Sequence, residues 1–410
     1  MRTDDLDYPL DETLIATAPA EPRDSARLLV YERRTGAIHH RRVSDLPEYL
    51  RPGDAMVVNE TKVMPARIKA VRAPAGELER AGQESGGGAR IEGLLLERRG
   101  PRQWLALLRN TKRVREGELL RLIGPRPTEG YGLRFLRREG EGAIVELEGG
   151  ASADEVLERV GWTPLPPYIT RARRERRSSA DPAEGLPGAV VEGLEDGPAA
   201  GSDEDTIDGE DRSSYQTVYA RETDMPSVAA PTAGLHFTPA LLERIGALGV
   251  ERIPVTLQVG AGTFKPVETE RLEEHRMHTE RCLVTADALR RLRRAVARSR
   301  GGLGRVVAIG TTSVRTLESI PASALEAGFV DGAVGEAAGE SLLFETDILI
   351  APGSRLRVVD VLMTNFHLPR STLIALVAAF IGLEEVRRVY AVATAERYRF
   401  YSYGDAMLIV

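Results

Sequence analysis

Five short stretches of this chain carry side chains that could do chemistry. Val306-Val307-Ala308-Ile309-Gly310-Thr311-Thr312-Ser313-Val314-Arg315 reads as a strand that ends in glycine, followed by hydroxyl residues that open a helix. The free N–H groups and dipole of such a terminus attract an anion or carboxylate. Thr312 and Ser313 add donors, and Arg315 adds a fixed charge. Simple N-capping is the competing account. Pro231-Thr232-Ala233-Gly234-Leu235-His236-Phe237-Thr238 puts a histidine just before a helix start. It could serve as an acid, a base or an anchor for a base edge, or be only a capped loop residue.

The other three stretches are less specific alone. Gln258-Val259-Gly260-Ala261-Gly262-Thr263 places two alternate glycines after a strand, which permits close backbone approach by a ligand. The third glycine of the dinucleotide fingerprint is absent. Thr364-Asn365-Phe366-His367-Leu368-Pro369-Arg370 leads into an apolar helix, and Asn365, His367 and Arg370 could read a base or a carboxylate. Tyr398-Arg399-Phe400-Tyr401-Ser402-Tyr403-Gly404-Asp405 gathers four aromatic residues where such residues make up only 5% of the chain. Aromatic faces interleaved with arginine suit base stacking, and a packed C-terminal strand is the alternative. HExxH, CxxC, GxSxG and GxxxxGK[ST] motifs are absent. That argues against a zincin, an α/β-hydrolase and a P-loop NTPase.

The elements that must position these residues follow from local signals. With 410 residues the chain suits two or three domains. Its single cysteine, Cys282, excludes a disulfide framework and fits a reducing cytoplasm. The N-terminus has no signal-peptide pattern, and Leu373 to Leu383 is too short to span a bilayer, so no membrane association is expected. Residues 26–31 and 55–58 read as buried strands. Residues 63–150 alternate in the manner of a compact all-β module, with 81–90 as a hairpin tip. Pro164 to Tyr168 reads as a stiff extended return. Residues 172–214 are Arg-rich and then acidic, and are expected to be mostly disordered.

Beyond Tyr215 the pattern becomes α/β. Helices are expected from Thr238-Pro239 to Leu248, over 286–300, over 311–319 and over 372–381. Strands are expected over 250–259, 305–309, 356–361 and 389–394. Between Glu175 and Ser214 there are 12 acidic and 3 basic residues, a net of −9. The chain's net charge is −6, so the remainder is mildly basic, near +3. Only 4 of its 55 basic residues are lysines, which tempers any link between arginine content and phosphate contact.

The order of the motifs is more specific than any one of them. DYPLDETLIATAP, RLLVYERRTG, VVNETKVMPARI, PLPPYI, YQTVYA, SVAAPTAGLHFT, VGAGTFKPV, EEHRMHTE, AIGTTSVRTLES, TNFHLPRSTL and YRFYSYGDAML together resemble the S-adenosylmethionine:tRNA ribosyltransferase-isomerase family of queuosine biosynthesis. The match runs nearly end to end. It implies that S-adenosylmethionine is consumed as a ribosyl donor, with no cofactor and no metal. The acceptor would be 7-aminomethyl-7-deazaguanine at the tRNA wobble position, and the products epoxyqueuosine-tRNA, adenine and methionine.

The resemblance also implies a two-domain α/β (α+β) protein, in which a larger mixed α/β domain is interrupted by a β-barrel-like domain. The expected boundaries are 1–62 with 160–410, and 63–159. A monomer in the cytoplasm is expected. Asn59-Glu60-Thr61-Lys62 departs from the family's usual Asp and Arg, Pro226 stands where a glycine is usual, and the connection from Tyr168 to Tyr215 is unusually long.

The reaction needs a base for the ribose C5′ proton, an acid for adenine, and anchors for the methionine carboxylate and the deazaguanine. His236 is the expected acid/base residue, with Asp405 or Glu60 as its carboxylate partner. Thr232, Gly234, Gly260, Gly262, Thr312, Ser313, Arg315, Asn365, His367 and Tyr403 are expected to hold substrate. Arg290, Arg291, Arg293 and Arg294 are expected to meet tRNA phosphates, or else to form a solvated helix face. A conventional methyltransferase would release S-adenosylhomocysteine, and a non-catalytic RNA-binding protein would leave the donor intact.

Overall fold

The computed structural model describes residues 1–72, 90–128, 130–179, 203–222, 225–260, 267–326 and 341–410. The chain divides into two compact units, Met1–Lys62 with Gln216–Val410, and Val63–Tyr215. The second unit runs well past the boundary at 159 read from the sequence.

The larger unit is built on one mixed sheet. Its strands are β1 (Arg27–Glu32), β2 (Ala37–Arg42), β3 (Ala55–Asn59), β10 (Glu251–Leu257), β11 (Glu280–Val284), β12 (Val306–Ile309), β13 (Leu342–Thr346), β14 (Val361–Asn365) and β15 (Ala406–Ile409). They lie in the order β13-β11-β10-β3-β12-β14-β15-β1-β2. The central strands β10, β3, β12 and β14 run parallel. β3, β12, β14 and β15 are buried at every position, as expected of strands covered on both faces.

The second unit is a closed antiparallel barrel of β4 (Arg67–Arg72), β5 (Arg90–Arg98), β6 (Gln103–Leu108), β7 (Leu119–Ile123), β8 (Gly132–Glu139) and β9 (Gly142–Glu148). Closure leaves no free sheet edge. Trp104, Phe135, Leu95 and Leu122 are buried in this unit. Of the hairpin tip expected at 81–90, residues 81–89 lie outside the described residues, and Arg90 begins β5.

Helices α1 (Ala153–Val160), α2 (Pro167–Ser179) and α3 (Asp203–Ser214) complete that unit. Tyr168 is helical rather than extended. Of the stretch expected to be mostly disordered, 172–179 and 203–214 are helical, and 180–202 lie outside the described residues. Asp211 takes both Arg173 guanidinium nitrogens, at 2.7 and 2.8 Å. Asp208 accepts from Thr163 N at 2.7 Å and Arg212 Nε at 2.8 Å. Specific long-range partners therefore order carboxylates that composition alone would leave in solvent.

In the larger unit, α4 (Pro239–Ala247), α5 (Ala286–Arg300), α6 (Thr311–Ser319) and α8 (Thr372–Ile381) fall where their caps and breakers place them, with the short α7 (Ala322–Glu326) between α6 and β13. Thr238 caps α4 through Leu241 N at 3.1 Å, and Gly249 ends it at φ +79°.

Two segments differ from expectation. Residues 356–360 are not a strand, because the Glu318 carboxylate accepts from the amides of Arg357, Val358 and Val359 at 2.8–3.0 Å. The strand is β14, five residues later. Residues 389–394 are not a strand either. They belong to α9 (Leu383–Ala395), which buries Val386, Val389, Tyr390 and Ala393 on one face. Tertiary burial there overrides the β preference of Val and Tyr.

Candidate active site

The parallel strands β3, β10, β12 and β14 end at one edge of the sheet, at Asn59, Leu257, Ile309 and Asn365. The chain leaves β3 for β10 on one side and later fills β12 on the other. Open α/β sheets bind ligands at such a switch point, outside the carboxyl ends of the strands. All five chemistry-bearing stretches begin or pack at this edge.

Asn59 ties two of these strand ends together. Its Nδ2 donates to Leu257 O, and its Oδ1 accepts from Leu257 N, each at 3.1 Å. Glu60 follows directly. Burial raises its carboxyl pKa, against the opposing pull of Arg221 and Arg252. Lys62 pairs with Glu222 at 2.7 Å.

Thr232–His236 forms a 3-10 turn beside the end of β14. Asn365 Nδ2 lies 3.3 Å from His236 Nε2 and donates to Tyr401 O at 3.0 Å, while its Oδ1 accepts from Thr232 Oγ1 at 3.2 Å. If Asn365 is the donor, the lone pair sits on His236 Nε2 and the proton on Nδ1. Tyr401 holds φ +72°, and its N–H donates to Phe366 O at 3.0 Å. Burial, then the charges of Arg399 and Arg23, push the His236 pKa down to about 3. The imidazole is therefore neutral at physiological pH, suited to hydrogen bonding and weak as a base.

The expected Asp405–His236 pair does not form. Asp405 is 2% exposed, and its carboxylate accepts from the amides of Arg27 and Arg399 and from the Arg399 guanidinium. It anchors β1 to the C-terminal turn. The aromatic cluster is also a correction. Tyr398, Phe400, Tyr401 and Tyr403 are buried, with Tyr398 and Phe400 packed on Phe366, so these faces are closed to base stacking. Tyr403 lies close enough to Arg23 to influence its charge.

Other expected ligands have structural duties. A Cβ at Gly234 would stand 2.1 Å from Tyr219 Oη, so glycine there serves close packing. His367 Nε2 pairs with Thr364 Oγ1 at 2.8 Å, its amide donates to Tyr390 Oη at 3.1 Å, and burial lowers its pKa to about 3. Ser313 Oγ donates to Ile309 O at 2.7 Å. Gly260 N donates to Glu280 Oε1 at 3.4 Å, and Gly262 lies outside the described residues. Thr312 Oγ1 is buried with no hydrogen-bond partner among the described residues. Arg315 is buried, with its Nη1 held in an ion pair by Glu280.

The arginine helix lies elsewhere. Arg291 and Arg298 bond Glu251, the first residue of β10, and Ser299 bonds Asp360, just before β14. α5 therefore sits at the amino ends of the parallel strands, opposite the candidate site. Arg291 is held by Glu251 and Arg252 O, Arg293 donates to Ala324 O, and Arg290 pairs with Asp287. Only Arg290 and Arg294 of the four are exposed. Among the described residues, no group of three or more His, Cys, Asp or Glu side chains is gathered to hold a metal.

A family model described as queuosine biosynthesis protein matches residues 3–409. The chain belongs to this family. A relative from Methylobacterium sp. (strain 4-46), named S-adenosylmethionine:tRNA ribosyltransferase-isomerase, is 45% identical over 100% of this chain and 98% of its own length. Another of the same name, from Desulfitobacterium hafniense, is 40% identical over 100% of both chains. The crystal structure of S-adenosylmethionine tRNA ribosyltransferase from Thermotoga maritima is 31% identical over 99% of this chain and 100% of its own, with a TM-score of 0.46.

Sequence reading missed Arg23 and Glu280, whose partners lie far along the chain. Glu280 could have been noticed as the acidic end of EEHRMHTE, one of the motifs that carries the family resemblance.

Proposed function

We propose that this chain transfers and isomerises the ribosyl group of S-adenosylmethionine onto 7-aminomethyl-7-deazaguanine at the wobble position of tRNA, giving epoxyqueuosine-tRNA, adenine and methionine. One observation carries the reading. The motifs APTAGLHFT, AIGTTSVRTLES and TNFHLPRSTL converge at the carboxyl ends of the parallel strands, in a chain 45% identical end to end to a protein of that name.

The sulfonium makes the ribose C5′–H acidic, and Glu60 takes that proton. Its raised pKa suits it to this better than His236. The carbanion opens the ribose as the bond to adenine breaks, and His236 Nδ1–H faces the departing purine as donor. The tRNA aminomethyl nitrogen then bonds to the ribosyl carbon skeleton. Epoxide closure expels methionine, which leaves with the electron pair of its C–S bond. Asn365 and Thr232 fix the imidazole, while Gly260 and Thr312 line the approach of the donor. The enzyme acts as a monomer in the cytoplasm and binds S-adenosylmethionine only as a substrate.

The test is a product assay with S-adenosylmethionine and tRNA bearing 7-aminomethyl-7-deazaguanine, read by mass spectrometry. Adenine, methionine and an epoxyqueuosine mass are expected. S-adenosylhomocysteine would mean methyl transfer, and intact donor with bound tRNA would mean binding without catalysis.

A further inference from the structure

One enclosed nitrogen in the larger unit has no acceptor. Arg315 is 5% exposed. Its Nη1 pairs with Glu280, its Nε donates to Ile348 O at 3.4 Å, and its Nη2 meets nothing among the described residues. A buried guanidinium N–H without a partner is strongly unfavourable, and such exceptions call for an explanation. Thr312 Oγ1, one turn earlier on the same side of α6, is a second buried orphan.

Arg315 and Glu280 both line a recess that opens to solvent. Met277, Ile350, Leu373 and Leu376 supply apolar walls. Glu280 lies beside Gly260, which follows β10. Arg315 stands in the second turn of the helix that follows β12, and Leu373 in the first turn of the helix that follows β14. The recess therefore opens among the carboxyl ends of the parallel strands, along the edge that holds Glu60 and His236.

We propose that this recess holds the α-amino-acid end of S-adenosylmethionine, an inference that rests on the activity proposed above. Arg315 Nη2 donates to the α-carboxylate. Glu280 accepts from the α-ammonium. The methylene chain lies against Met277 and Leu373. Charge decides for a zwitterion over a simple anion. Glu280 already pairs with Arg315, so a zwitterion offers each of them a charged partner, whereas a lone anion offers one to Arg315 only; His275 and His278 also line the recess.

The experiment compares S-adenosylmethionine with its decarboxylated analogue, on wild-type protein and on Arg315→Lys. Lysine keeps the charge facing Glu280 and removes the planar second nitrogen. Wild type should prefer the carboxylated donor by roughly 10- to 100-fold in kcat/KM, the value of a charge-assisted hydrogen bond. Arg315→Lys should lose most of that preference, its kcat/KM falling further for the carboxylated donor than for the analogue. A purely structural role would lower both donors equally and overturn the proposal, as would a wild type that does not discriminate. Equilibrium dialysis of the two sulfonium compounds reads the same recess without turnover. Equal retention overturns the recess. Tighter retention of the carboxylated form without an epoxyqueuosine product supports the recess and overturns the proposed reaction.

Discussion

Asn365 Nδ2 stands 3.3 Å from His236 Nε2, joining two residues 129 positions apart at the end of β14. The same amide side chain accepts from Thr232 and donates to Tyr401 O. It is the junction of three of the five chemistry-bearing stretches, and it meets the His236 imidazole at Nε2.

Replacing Asn365 with Leu keeps the volume and removes the junction. Thr232 Oγ1, His236 Nε2 and Tyr401 O each lose a partner in a buried place. A stability loss of about 2–4 kcal/mol is expected in urea unfolding. Turnover of the folded fraction should fall by about 100-fold, because the imidazole is no longer held in one orientation. His236→Ala should fall at least as far. Near-normal turnover in His236→Ala would remove that residue from the chemistry.

Acid should weaken the fold through two histidines. Burial holds His236 and His367 neutral, each with a pKa of about 3. In the unfolded chain each titrates near the ordinary value of 6.5. Below pH 6.5 the unfolded state therefore binds protons that the folded state refuses. Their contribution is complete above pH 6.5 and is lost as pH falls from 6.5 towards 3, by about 1.4 kcal/mol per pH unit for each residue. Urea unfolding of wild type and His367→Gln at pH 7 and pH 5 checks this. The variant's stability should fall less between the two pH values, and an unchanged difference would place His367 in water.

What was legible in the sequence was local. Thr238-Pro239 and Gly249 bound α4, and Gly310 opens α6, because caps and breakers act within a few residues. Strand β14 was misplaced because Glu318, some 40 residues earlier, takes the amides of 357–359. In α9, Val389 and Tyr390 read as β until their burial beside Val386 and Ala393 is known. The site behaves the same way. Its motifs were visible, yet the roles within them depended on distant partners. Asp405 belongs to Arg27 and Arg399, Arg315 to Glu280, and the aromatic cluster to Phe366 and Tyr390.

Gly234 should tolerate no side chain while Tyr219 keeps its hydroxyl. A Cβ there would lie 2.1 Å from Tyr219 Oη and 2.8 Å from Thr217 Cγ2. Gly234→Ala should cost about 1–3 kcal/mol through overpacking. Tyr219→Phe removes the closest atom, so the double variant should recover part of the loss in thermal unfolding. A double variant no better than the sum of the singles would show that backbone geometry, not the hydroxyl, demands glycine.

Arg290 and Arg294 provide the last test, which concerns where RNA phosphates can lie. Both are exposed on α5, at the amino ends of the parallel strands, opposite Glu60 and His236. Removing an arginine that neutralises a phosphate lowers affinity and reduces the salt slope by about 1. If the wobble nucleotide enters at the carboxyl ends of the strands, neither residue meets the phosphates that flank it. Arg290→Glu with Arg294→Glu should then change the KM for tRNA by less than about 3-fold, with an unchanged dependence on salt. A weaker KM with a flatter salt dependence would put part of the tRNA on this opposite edge.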